Sequence, residues 1–67
     1  MRVYELTRKG IRKAKEAIAQ RDPIIDYLYS SKGHTATFDE LASEVGRDQV
    51  SDKIRNNVRL GLIEEVS

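Results

Sequence analysis

The 67-residue chain has no cysteine and no tryptophan, and only one proline, one histidine and one phenylalanine. Without cysteine there is no disulfide framework and no thiolate metal site, and nothing points to an oxidising compartment, so a cytoplasmic location is expected. Long apolar runs are missing too, and Met1–Lys9 holds no segment of signal-peptide or membrane-span length. A soluble protein with no membrane partner is expected. A single histidine, His34, has no second histidine or thiol to complete a metal site. There is no phosphate-binding glycine loop and no nucleophile elbow. Ser30, Ser31, His34 and Asp39 can be written as a nucleophile set, but their spacing carries no geometric argument. Asp39, Glu40 and Glu44 read as a solvated helix face, not as paired catalytic carboxylates. The chain is therefore not expected to be an enzyme, or to hold a cofactor, a metal or a small-molecule substrate.

A chain this short can bury one modest core, so residues 1–67 should form a single domain. Charged residues make up 34% of it, yet its apolar residues recur at regular spacings, which points to a folded domain. The net charge of +1 conceals blocks. Residues 1–21 carry Arg2, Arg8, Lys9, Arg12, Lys13, Lys15 and Arg21 against Glu5 and Glu16. Residues 22–46 carry Lys32 against five carboxylates, and residues 47–59 carry Arg47, Lys53, Arg55 and Arg59 against Asp48 and Asp52. Two basic blocks on one surface would make a phosphate footprint, and each alone is also what a solvated helix face looks like.

Along the chain, residues 2–6 favour a short strand, with Val3 and Leu6 available to a core. Thr7 stands at a helix N-cap, and Ile11, Ala14 and Ile18 mark the buried stripe of a helix from Arg8 to Gln20. The edges of that helix around Ile11, Ala14, Ala17 and Ile18 offer a homodimer contact. Asp22-Pro23 is a helix start, because aspartate accepts free first-turn amides and proline lacks only a hydrogen that would go unused there. The second helix should run from Pro23 to about Lys32 and end at Gly33. Residues 35–37 suit one small strand or an extended link. Thr37 and Glu40 have capping-box spacing, and Phe38, Leu41, Ala42 and Val45 make one buried face of a third helix closed by Gly46. Val50, Ile54 and Val58 define a fourth helix, about Asp48 to Leu60, followed by Gly61 and a strand over 62–66 that lies at an edge or leaves one face in water. The class is mainly α with a small β-sheet (α+β), in the order β-α-α-(β)-α-α-β. Tyr4, Tyr27, Tyr29 and Phe38 are too dispersed for a stacking platform and are expected mostly in the core.

The order from Asp22 to Ser67 is similar to the winged helix-turn-helix superfamily, and residues support it. Phe38-Asp39-Glu40-Leu41-Ala42-Ser43-Glu44-Val45-Gly46 resembles the first helix and turn glycine of the helix-turn-helix unit. Leu60-Gly61-Leu62-Ile63-Glu64-Glu65 resembles the exit from a recognition helix into the wing. Tyr4-Glu5-Leu6-Thr7-Arg8-Lys9-Gly10 resembles the strand that returns from the wing into the next helix, placed here first instead of last. The resemblance implies a permuted order in which strand 3–6 pairs with strand 62–66, either within one molecule or by exchange in a dimer.

It also implies double-stranded DNA as partner, with transcription regulation as the setting and a homodimer doubling the site. If Val50, Ile54 and Val58 face inward, Gln49, Asp52, Asn56 and Arg59 lie opposite, with Lys53 and Arg55 beside them. Arginine can donate twice to guanine, glutamine and asparagine can pair with adenine, and lysine can neutralise phosphate. The DNA-binding set is thus Arg47, Gln49, Lys53, Arg55, Asn56 and Arg59, with Arg8, Lys9 and Arg12 of the first helix as a second phosphate-contacting group. Thr35 and Thr37 can bond phosphate, or serve in capping and strand pairing. One departure bears on the partner, because Gly46-Arg47-Asp48-Gln49 makes a shorter passage between helices than these regulators usually have. That passage and the near-neutral charge favour the alternative, a protein-interaction module on the same fold.

Overall fold

A computed structural model of the chain describes residues 1–16 and 22–67. Its elements run β1 (Val3–Leu6), α1 (Arg8–Glu16), α2 (Pro23–Ser30), β2 (Thr35–Thr37), α3 (Phe38–Val45), α4 (Val50–Arg59) and β3 (Ile63–Glu65). The result is an α+β fold in which helices cover one face of a three-stranded antiparallel sheet of order β2-β1-β3. The first strand is central. Tyr4 stands opposite Ala36 on one side and Glu65 on the other, and Leu6 stands opposite Ile63. The first and last strands therefore close the sheet within one chain, and β3 is an edge strand as expected. Among the described residues no helix is long and apolar enough to cross a membrane.

Side chains alternate across a strand, so Tyr4 and Leu6 turn into the core while Val3 and Glu5 share the other face. This corrects the expectation that Val3 is a core residue; Val3 is half-buried and Tyr4 takes its place. Above the sheet, Ile24, Ile25 and Leu28 of α2 and Leu41 and Ala42 of α3 complete the core with Val50 and Ile54 of α4.

The helix starts follow the capping residues. Thr7 Oγ1 accepts from the Gly10 amide at 3.0 Å, and Asp22 Oδ1 accepts from the Ile24 amide at 2.8 Å with Pro23 just behind it. At α3 both halves of the capping box form: Glu40 N–H donates to Thr37 Oγ1 at 3.1 Å, and Thr37 N–H donates to Glu40 Oε1 at 2.9 Å. Helix α2 ends two residues earlier than Lys32, because the Ser31 hydroxyl donates to the Tyr27 carbonyl and its amide to the Leu28 carbonyl. A 3₁₀ turn over Lys32–His34 follows, where Gly33 at φ +70° reverses the chain into β2. His34 also has positive φ, and its ring stacks on Tyr29 with centroids 5.5 Å apart.

The expected end of the first helix at Gln20, and Ala17 and Ile18 on it, lie outside the described residues. Ala14 is completely buried, and Ile11 is half-buried against the same core.

Candidate nucleic-acid interface

Helix α4 begins at Val50, two residues later than expected, because residues 47–49 form a turn in which the Gln49 and Val50 amides both bond the Gly46 carbonyl. Its buried face is Val50, Ile54 and Asn57. Val58 was expected inside and is 44% exposed, whereas Asn57 is 2% exposed. The reason is geometric. Residues four apart advance 40° round a helix of 3.6 residues per turn, so Val58 has turned about 80° from Val50, and position 57 falls nearer the buried line. Asparagine is tolerated there because its Nδ2 donates to the Lys53 carbonyl at 2.8 Å and reaches Asp22 Oδ1 at 3.5 Å. Asp22 thereby caps α2 and ties it to α4.

With that phase, the outward face of α4 holds Asp52, Arg55, Asn56 and Arg59, all exposed, around a shallow depression of about 240 Å³. Arg55 Nη1 donates to Asp52 Oδ1 at 3.1 Å, and Arg59 Nη2 donates to Asn56 Oδ1 at 2.6 Å. Each arginine is thus steadied by a residue one turn earlier on its own helix. Such exposed pairs contribute about 0–1 kcal/mol, so an incoming phosphate or base edge can displace them at little cost. Gln49 is exposed just before the first turn, and Lys53 is half-buried at the margin of the face. Arg47 lies before α4 and points to the start of α3, 3.7 Å from Asp39.

The second basic group meets the far end of α4 through the backbone. The Thr7 hydroxyl donates to the Gly61 carbonyl at 2.6 Å and the Thr7 amide to the Leu62 carbonyl at 3.0 Å, which seats the start of α1 on the turn that leaves α4. The Lys9 stem runs beside Gly61, its Cδ 3.9 Å from where a Cβ on that glycine would lie. Arg8, Lys9 and Arg12 are exposed on this helix. Arg59 and the start of α1 are thus joined across a turn of three residues.

Arg2 was not among the expected site residues. Its guanidinium lies over the Phe38 ring, 4.6 Å from the centroid. Arg2 and Arg55 line one groove of about 280 Å³ between the sheet and α4. Tyr4 also lines it, and burial raises its phenol above the ordinary pKa of 10.0; Arg2 pulls it back and Glu65 pushes it further up. Thr35 and Thr37 serve local structure, Thr37 as the α3 cap. Among the described residues no group of three or more His, Cys, Asp or Glu is arranged to hold a metal ion. In comparisons with known proteins, no family model, curated protein or solved structure matches this chain, so its functional reading rests on its own residues.

Proposed function

We propose that the chain is a cytoplasmic winged helix-turn-helix domain that binds duplex DNA, with α4 in the major groove and β3 and β1 as the wing strands. The observation that carries the reading is the division of α4. One face is fixed in the core by Val50, Ile54 and Asn57, and the other offers Arg55, Asn56 and Arg59 to solvent on bonds confined to the helix. These groups suit base edges and phosphates, and the bonds they make among the described residues stay within α4. The start of α1, seated on the α4 exit turn, extends the cationic surface with Arg8, Lys9 and Arg12. Such a domain would serve transcription regulation.

The alternative, docking on a protein, has one observation of its own: Val58 and Leu60 are exposed apolar residues on and beside α4. Titration of labelled random-sequence duplex at about 50 and 200 mM salt separates the two. DNA binding predicts a strong loss of affinity with salt and amide shifts concentrated at residues 47–60 and 8–15. The R55A/R59A double variant should lose duplex binding while its stability changes by no more than about 0.5 kcal/mol. Unchanged binding by that variant would overturn the reading.

A further inference from the structure

We infer that the groove between the sheet and α4 seats one sugar-phosphate unit of the bound duplex, its phosphate between Arg2 and Arg55 and its deoxyribose against Phe38 and Val58. This rests on the DNA reading and adds to it a site and a residue from another element. Four observations support it.

The groove has the right mixture of surfaces. Phe38, Ile54 and Val58 give it apolar walls, and the charged groups on it are Arg2, Arg55 and Glu65. Two guanidinium groups face one carboxylate in the groove, and Arg55 is also paired with Asp52 outside it, an exposed pair that a phosphodiester can displace at little cost. A wholly cationic groove would lack the apolar wall that a sugar can lie against, and a wholly apolar one would repel the phosphate.

The groove is also continuous with the proposed reading face. Arg55 lines both this groove and the depression formed with Asp52, Asn56 and Arg59. One side chain therefore stands between the surface suited to base edges and the surface suited to the backbone, the two kinds of contact a groove-bound helix needs side by side.

Arg2 is steadied before any partner arrives. Its guanidinium lies over the Phe38 ring and its backbone carbonyl accepts from the Phe38 amide at 2.9 Å, so the first residue of α3 holds both the backbone and the head of Arg2. A planar guanidinium held on a ring loses less freedom on binding than a free one.

Finally, Glu65 gives the site a built-in opposition. It stands opposite Tyr4 in the sheet and lines the same groove, so its carboxylate weakens the attraction of the groove for a phosphate. Removing the two charges must then act in opposite directions.

The test is duplex binding by anisotropy across a salt series, with random-sequence duplex as the probe, for the full chain and the variants R2A, R2K and E65Q. Arg2→Ala should weaken binding about tenfold on every duplex and lower the slope of log affinity on log salt by about 1. Arg2→Lys should restore the slope, because it restores the charge, and Glu65→Gln should tighten binding several-fold. A wild-type protein that binds duplex, loses it in R55A/R59A, and is indifferent to Arg2→Ala and Glu65→Gln would overturn the groove and leave the DNA reading standing. A wild-type protein that binds no duplex at either salt overturns both. Binding of an acidic peptide in place of duplex, lost on Arg2→Ala, would assign the groove to a protein partner and overturn the inference.

Discussion

Replacing Gly10 with alanine sets two physical rules against each other. Gly10 lies inside the first turns of α1, where alanine is favoured over glycine by about 1 kcal/mol in an ordinary helix. Here a Cβ would come 2.0 Å from the Leu62 carbonyl oxygen, with Leu6 Cδ2 at 2.9 Å and the Leu62 carbonyl carbon at 3.0 Å. Leu6 can rotate away, but a backbone carbonyl cannot. The Leu62 oxygen also accepts the Thr7 amide, so moving it strains the bond that seats α1 on the turn. Overpacking against a wall of this kind costs about 1–3 kcal/mol, and the rigid neighbour places this case at the upper end. After the gain in helix propensity, a net loss of about 2 kcal/mol is expected.

That loss is large for this chain. A domain of 67 residues has a total stability of about 3–10 kcal/mol. Urea unfolding followed by circular dichroism should show the midpoint of Gly10→Ala lowered by about 2 M, taking a slope near 1 kcal/mol per M for so small a protein. The melting temperature should fall by about 8–16 °C. A midpoint equal to or above that of the wild type would show that helix propensity outweighs the contact, and would refute the close approach of α1 to the α4–β3 turn.

Two further outcomes are expected. Glu5 and Glu64 stand directly opposite each other across β1 and β3, and like charges so placed repel, so Glu64→Lys should raise stability by about 0.2–1 kcal/mol at low salt, with the gain shrinking as salt is added; no gain at low salt would refute the register. The Tyr4 phenol has its pKa raised by burial, so its contribution is complete below pH 10 and is lost as pH rises through the higher folded value. The urea midpoint should therefore fall more between about pH 9 and 11 in the wild type than in Tyr4→Phe, and equal falls would refute the assignment.

Elements announced by paired local signals were legible in the sequence. Asp22-Pro23 starts α2, Thr37 and Glu40 cap α3, and Thr7 caps α1, because each signal is a short-range bond that tertiary packing has no reason to override. The pairing of the first and last strands was implied only by the family resemblance, and it forms, with Leu6 opposite Ile63. Phase was harder to read. In the first strand Val3 looked buried on its own chemistry, yet Glu5 shares its face and Glu5 belongs near water, which already assigns Tyr4 and Leu6 to the core. In the fourth helix the four-residue spacing of apolar residues draws the inward line through Val58, whereas the buried position is Asn57. An asparagine whose amide reaches a carbonyl one turn back can be buried, and only the aspartate brought up from 35 residues away shows why this one is. Arg2 could not be placed from the sequence, because its relation to Arg55 exists only once the sheet packs beside α4.

The same packing explains why a net charge of +1 is a poor guide to this surface. The acidic residues of α3 are spent locally: Asp39 and Glu40 occupy its first turn, where the helix dipole favours them, and Glu40 completes the capping box. Arginines of α4 are not spent in that way, since Asp52 and Asn56 hold Arg55 and Arg59 only through exposed side chains. Averaging the two populations hides this difference, although Asp39 does reach Arg47 at 3.7 Å. The start of α1 and the end of α4 share a surface, because Thr7 bonds the Gly61 and Leu62 carbonyls and Gly10 lets the backbones close. The glycine that α1 would gain by replacing is thus what allows its basic residues to stand beside the exit of α4. In this chain the stability of one joint and the shape of the cationic surface are set by the same contact.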